Sequence, residues 1–439
     1  DAQGKPVQRL LLRAVRDSYF KFRGKDSDIS DDFRIHNWQE MSLNQYLYAR
    51  GEVVKLWLRP RGPDSGFKVY PGQGNRYSFF GTTPGAHALG EPCYIVEPYA
   101  PGAEFIPNGL PVFPVYYEND DDGWRELGKD SRLVFQAPRD GEYLIRVRDV
   151  RGNQGEDYTY RLIIRPPQPD FTVTLTAKQT KIPRGAGRQF RVQVDRKDNF
   201  DGPVRIEANN VPPGLRISSP IIIEAGQLDA YGVIAALPTA TEITADQVKQ
   251  LKFTASAEIG GQTVTHAVKG PETLELGEFP KLFVTVLSTA ESNIRPGSQS
   301  FTSAVRAAND QPAVARTPAE IQADRKAWEA DLLKPFELTI APGETISAVV
   351  RVDRNGHDDR VSFGNFPGFN LPHGIIVDNI GLNGLLVPEG TEERLFFITA
   401  EDFVGDMTRE FHLEATDDGG VTSWPIILHV RKPGQLAEK

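Results

Sequence analysis

Six oxygen-bearing side chains crowd one short stretch: Glu118, Asn119, Asp120, Asp121, Asp122 and Asp130. A hard cation such as Ca²⁺ collects six to eight oxygens, several of them often from a single acidic loop. Successive carboxylates repel one another unless water, backbone amides or a cation offsets the charge. The run does not follow the EF-hand spacing, and a hydrogen-bonded turn closed by Gly123 would use the same residues. Calcium is therefore the candidate cofactor, and a solvated turn is the alternative. Tyr94, Tyr99, Phe105, Tyr116, Tyr117 and Trp124 lie near this loop in the chain. Flat rings beside polar groups suit a glycan, although core packing draws on the same residues.

Other chemistry is sparse. The histidines His36, His87, His266, His357, His373, His412 and His429 are scattered, and no His-Glu-x-x-His or Cys-x-x-Cys occurs. His87 and Cys93 could contribute to zinc binding, but a structural site needs four ligands and nothing supplies the other two. Ser131 lacks a Gly-x-Ser-x-Gly elbow. Gly72-Gln73-Gly74 is too short for a phosphate loop. The residue types argue against a catalytic triad and leave the acidic loop as the leading site.

The elements around that loop read as β-structure. Val112–Tyr117, Ser131–Phe135 and Tyr143–Val147 are strand-like runs, and Pro138-Arg139-Asp140-Gly141 is a hairpin signal between the last two. Upstream, Val7–Val15, Ser18–Phe22, Val53–Leu58, Tyr77–Phe80 and Cys93–Glu97 also read as strands. Lys25–Asp32 is a second acidic loop. An Asn-Asp-Asp loop, a Ser-Arg-Leu run and Ala-Pro-x-Asp-Gly-x-Tyr occur here in that order. In this the chain from about Gly51 to Arg165 resembles the bacterial pre-peptidase C-terminal domain. The resemblance implies a jelly-roll-like β-sandwich, a non-catalytic module of exported proteins, and in some members calcium binding.

Arg165-Pro166-Pro167-Gln168-Pro169-Asp170 is a stiff, extended linker. The remainder repeats itself. Val192–Arg196 matches Val350–Arg354, Asn210–Ile217 matches Asn370–Val377, Ile221–Gly226 matches Leu385–Gly390, and Phe253–Ala257 matches Phe411–Ala415. Four blocks in order, at a nearly constant offset, mark two copies of one domain. Each copy carries about seven short alternating strands, the pattern of an immunoglobulin-like sandwich. Gly260-Gly261 is a two-residue hairpin turn. The paired Val-Asp-Arg and Leu-Pro-x-Gly blocks resemble domains that follow pre-peptidase modules in large exported bacterial proteins.

The second copy holds an insertion near 290–335 with one helix. Thr317 is its N-cap, Pro318 its first residue, and Glu320 completes a capping box. Ile321, Trp328 and Leu332 recur at helical spacing, and Lys334-Pro335 ends it. The helix either packs on its own sandwich or docks a partner.

The expected architecture is all-β, three tandem sandwiches: residues 1–168 with an N-terminal extension, 169–279, and 280–439. The chain has 439 residues, 40 Gly, 33 Pro, 2 Met and 1 Cys, and a net charge of -9 with mixed signs. Many turns, no internal disulfide and no nucleic-acid footprint follow. No apolar run is long enough to span a membrane. The start at Asp1 reads as a processed piece of a precursor. The expected function is a non-catalytic structural or interaction region of a secreted, periplasmic or cell-surface protein, with a protein partner or the rest of a larger assembly. The alternative is a calcium-dependent carbohydrate-binding accessory region of a secreted enzyme. A hydrolase is the least expected reading.

If the acidic loop holds calcium, the ion binds only the folded state and the melting temperature should rise with calcium concentration. Asp120→Asn with Asp121→Asn should abolish that rise and leave the fold intact. A melting curve indifferent to calcium and to chelator would remove the calcium reading.

Overall fold

The computed structural model describes residues 1–19, 45–49, 90–118, 130–149, 151–198, 200–227, 229–289, 317–334, 336–364, 368–372, 374–378 and 384–432, together with four short strands within 32–69. The chain divides into two compact units. One comprises Asp1–Pro60, Asp64–Phe171 and Arg196–Asp201; the other comprises Arg61–Pro63, Thr172–Asp195 and Gly202–Lys439. Among the described residues the regular elements of the first unit are all β-strands, and those of the second are β-strands with two helices.

The first unit is built on an antiparallel sheet in the order Glu52–Val54, Tyr46–Ala49, Pro92–Tyr99, Gln8–Tyr19, Val112–Tyr116. The two runs expected at Val7–Val15 and Ser18–Phe22 form a single strand, Gln8–Tyr19. Its register shifts between Ala14 and Arg16 against the 92–99 strand. An extra residue in a ladder kinks the strand without ending it, so one long strand reads as two. The N-terminal segment lies between two strands of this sheet. Leu12, Ala14, Tyr46 and Val96 form the buried cluster, with Leu10, Tyr48, Tyr94 and Phe113 against it. A smaller sheet pairs Asp32–Phe33, Gly66–Val69 and Leu56–Arg59. Tyr77–Phe80 lies outside the described residues.

Ser131–Phe135 and Tyr143–Val147 are not strands. The chain bends at 138–141 as the turn signal indicates, but neither flank enters a ladder. Leu144, Ile145 and Val147 are exposed. Alternation gives a segment the capacity for a strand, and a hydrogen-bonded neighbour makes it one. These residues are held by other means. Tyr117 and Tyr143 meet Phe135 edge-on, and the Tyr117 hydroxyl donates to the Gln136 carbonyl at 3.0 Å. The buried Asp198 carboxylate accepts from Arg132, from both terminal nitrogens of Arg165 and from the Gln168 amide. Those donors, Arg165 foremost, hold its pKa far below the usual carboxylate range.

The second unit contains the repeat. In the first copy one sheet runs Leu215–Ile217, Asp229–Ala236, Gly187–Lys197, with Asp170–Ala177 also on Gly187–Lys197. The other runs Ile221–Ile223, Val204–Asn209, Lys252–Ile259, Gln262–Val268. In the second copy the sheets run Leu282–Leu287, Thr345–Arg354, Glu393–Ala400, Ile375–Asp378, and Phe336–Ile340, Ile426–Val430, Met407–Leu413, Gly368–Phe369. In both copies an early strand lies parallel to the last one: Lys181–Pro183 on Glu275–Gly277, and Phe336–Ile340 on Ile426–Val430. Two packed sheets with a parallel pairing of an early strand to the last one make each copy an immunoglobulin-like sandwich. Apolar residues at alternate positions fill the cores, as Val350, Val352, Phe396 and Phe411 do in the second.

The matched turn is the same structure twice. Asn210 and Asn370 both take a positive φ, 56° and 67°, which asparagine tolerates better than most residues. Their side chains donate to the carbonyl of Gln250, just before Lys252–Ile259, and to that of Glu410, within Met407–Leu413. Gly214 and Gly374 follow at φ 82° and 86°, each with its carbonyl accepting from a matched residue, Leu237 or Glu401.

The expected helix spans Pro318–Leu332, capped by Thr317 and Glu320 in a reciprocal capping box. Most of it is exposed. Its anchor is Trp328, which packs on Phe279 and Phe283 with ring centroids at 5.9 and 5.1 Å. Glu329 pairs with the Thr239 hydroxyl. The 290–316 part of the insertion lies outside the described residues.

Candidate functional site

Of the acidic-loop residues, Glu118 and Asp130 are described, while Asn119, Asp120, Asp121 and Asp122 lie outside the described residues. The Glu118 amide donates to the Tyr116 carbonyl at 2.9 Å, and Asp130 is exposed. Among the described residues no three His, Cys, Asp or Glu side chains gather closely enough to hold a metal. The neighbouring rings turn largely toward each other. Tyr94 tilts on Phe113, which stacks on Tyr48 at 4.1 Å. Tyr99 meets Phe105 edge-on, with the Arg13 guanidinium over the Phe105 face. Cys93 is fully buried, and desolvation pushes its thiol up to about 12, so it is packed as a small apolar residue. His87 and Trp124 lie outside the described residues.

Two arrangements were not legible in the sequence. The first is a Thr408–His429–Glu337 chain across three adjacent strands. His429 Nε2 meets Glu337 at 2.9 Å and Nδ1 meets the Thr408 hydroxyl at 3.1 Å. Arg431 also donates to Thr408, at 2.7 Å, and lies 3.2 Å from Nδ1. A hydroxyl, an imidazole and a carboxylate in line resemble a relay. Here, however, the trio lies on the outer, solvated face of a sheet, and the guanidinium competes for the nitrogen a base would need. The second is a polar hollow of about 540 Å³ lined by His357, Asp359, Arg360, Ser362, Glu389 and Asp417. Asp417 accepts the Ser362 amide at 2.9 Å, and buried Arg354 caps the rim carbonyls of His357 and Pro388. Asp417 and Arg354 hold the loops of this hollow together.

The best-built polar assembly is the seam between the two immunoglobulin-like copies. Gly187 and Arg188 of the first pair antiparallel with Thr422 and Val421 of the second, so the copies share a backbone ladder. A Cβ at Gly187 would overlap the side chains of Val233 and Thr422; only glycine admits the approach. Ala186 is buried in the core cluster of the second copy. Gly185, at φ 76°, sits directly beneath the Trp328 ring and accepts from the Trp424 indole at 3.1 Å.

Polar contacts extend the ladder on both sides. Arg188 donates to the Asp418 carbonyl and Gln179 to that of Gly419. Arg409 donates to the Ile222 carbonyl and pairs with Glu224 at 2.9 Å; Arg216 pairs with Glu410. His412 is 2 % exposed, stacked on Phe369 and hydrogen-bonded to Gln189 at 3.0 Å. Burial lowers its pKa to about 3, so the imidazole stays neutral. Burial likewise raises the carboxyl of Glu414. Arg188 Nε, Glu410 Oε1 and Thr422 Oγ1 are buried there without a hydrogen-bond partner. Such atoms in a native seam call for ordered water.

No protein-family model and no curated protein matches the chain. Solved structures do. The titin domains Z1Z2 in complex with telethonin align over 61% of this chain and 100% of that one, at 13% identity and a TM-score of 0.15. The fibronectin(III)-like modules of Clostridium thermocellum CbhA align over 61% and 97%, at 12% and 0.15. The D0-D1 domain of intimin aligns over 58% and 97%, at 9% and 0.17. At TM-scores this low the likenesses carry no argument about what this chain does. The immunoglobulin-like assignment rests on the chain's own strand order.

The neutral His412 makes the seam sensitive to acid. Between about pH 3 and 6.5 the unfolded chain binds a proton that the folded one refuses. Stability therefore falls as pH drops through that window, by at most about 1.4 kcal/mol per pH unit. Glu414 acts in the opposite sense, since its folded form holds a proton at higher pH than its unfolded form. Urea unfolding at pH 7 and pH 4.5 should show a loss in the parent that His412→Leu largely removes. Equal losses in both proteins would mean that His412 is not the group responsible.

Proposed function

We propose that this chain is a non-catalytic structural and interaction region of an exported bacterial protein, envelope-associated or at the cell surface. The observation that carries the reading is the seam. Two immunoglobulin-like copies joined by a shared ladder, partly buried ion pairs and a tryptophan clamp make a stiff spacer. Among the described residues, the most extensive polar network lies at that joint. A module of this kind holds other domains or partners at a set separation, and its partner is a protein or the rest of a larger assembly. No helix among the described residues is long and apolar enough to cross a membrane.

The first unit fits a pre-peptidase-like role in this proposal through the ordered motifs between Glu118 and Tyr143. Calcium at Glu118–Asp122 would belong to that role as a stabilising ion. The carbohydrate-binding alternative has less support, because Tyr94, Tyr99 and Phe105 are engaged with neighbouring rings and Arg13.

Fractionation of the native organism with an antibody against the chain should recover it in the periplasmic, surface or culture fraction, within a particle heavier than the 48.7 kDa chain. Recovery as a free monomer in the cytosol would contradict the proposal.

A further inference from the structure

The strand Gln262–Val268 ends the sheet of the first copy, and among the described residues nothing pairs with its far edge. Its hairpin geometry determines which groups that edge presents. The two-residue turn Gly260-Gly261, at φ 60° and 78°, makes Ile259 and Gln262 a hydrogen-bonded pair. Antiparallel ladders alternate, so Gln262, Val264, His266 and Val268 bond inward to Lys252–Ile259. Thr263, Thr265 and Ala267 point their amides and carbonyls outward, and their side chains are exposed.

Edges of this kind are normally protected by proline, bulges or charge. This one has none of them. Residues 262–268 read Gln-Thr-Val-Thr-His-Ala-Val, without a charged side chain or proline, and the register runs without a break.

The repeat indicates what such an edge does. Phe253–Ala257 matches Phe411–Ala415, so Ser256 corresponds to Glu414. Ser256 faces Thr265, and Glu414 faces Thr422. Thr265 is therefore the counterpart of Thr422, and Val264 that of Val421. In the second copy these two residues pair outward, antiparallel, with Gly187 and Arg188 of the neighbouring sandwich. The same edge is thus a sheet-to-sheet junction in one copy and uncovered in the other.

We propose that the uncovered edge joins a second copy of this chain, with the two 262–268 strands antiparallel about a two-fold axis through Thr265. The three outward residues lie symmetrically about Thr265. The two-fold then pairs Thr263 with Ala267, Thr265 with itself and Ala267 with Thr263, and each contributes both its amide and its carbonyl. A contact made by one patch on both partners closes as a dimer and does not propagate into a fibre. The absence of charge leaves no like-charge repulsion across the axis.

Four experiments on the full chain test this. Sedimentation velocity across a concentration series should show a monomer–dimer equilibrium. Amide hydrogen exchange should slow at Thr263, Thr265 and Ala267 as the dimer fills. Thr265→Pro removes an outward N–H and no bond to the partner strand of the hairpin, so it should abolish the dimer while the melting temperature stays near the parent's. In the pairing geometry the two Thr265 Cα atoms lie about 5.5 Å apart, within disulfide reach. Thr265→Cys should therefore cross-link to a covalent dimer on mild oxidation, and Thr174→Cys, on an exposed position of another strand, should not. A chain that stays monomeric with freely exchanging amides at these positions would overturn the proposal. A dimer that survives Thr265→Pro, or equal cross-linking at both cysteines, would overturn it too.

Discussion

The second unit depends on how closely two backbones can approach at Gly187. A side chain there would collide with Val233 on one side and Thr422 on the other, and without that approach the 421–422 strand could not join the first copy's sheet. Other features follow from this contact. It brings Ala186 into the neighbouring core and places Gly185 under Trp328. It also brings Arg409 within reach of Glu224, and His412 within reach of Gln189. Two sandwiches on a flexible tether would bury none of these groups. Charged and polar side chains leave water at the seam because the ladder holds their partners in place, and an ion pair stripped of one partner at such depth becomes strongly destabilising.

Local signals carried much of this architecture. The repeat was legible because its turns require particular residues: an asparagine at positive φ, a proline, then a glycine, at the same offset in both copies. The helix was legible because Thr317 and Glu320 satisfy each other's amides within four residues. Neither signal depends on distant parts of the chain. The seam was not legible, because its hydrogen-bonded partners stand 185 to 240 positions apart and no periodicity encodes a register of that kind. Gly185 and Gly187 read as turn residues, although their work is to let Trp328 and Thr422 come close.

The first unit shows the converse. Tyr143–Val147 alternates as well as any strand in the chain, yet it lies outside every ladder, while Gln8–Tyr19, with its ambiguous faces, pairs on both edges. Sequence alternation reports which side chains could share a face, and it does not report which backbone stands beside them. The same limit applies to chemistry. The acidic loop was conspicuous because its residues are consecutive, whereas Thr408, His429 and Glu337 meet only through the pairing of three strands.

Through the shared ladder the two immunoglobulin-like copies form one mechanical and thermodynamic body. Native-state amide hydrogen exchange on the full chain tests it most directly, comparing the 187–197 and 229–236 strands of the first copy with the 345–354 and 393–400 strands of the second. The account predicts a shared opening free energy for the slowest amides of all four strands, and a split into two distinct values when Gly187→Val forces the ladder apart. Two separate values in the parent, or a Gly187→Val protein that still opens as one, would contradict it.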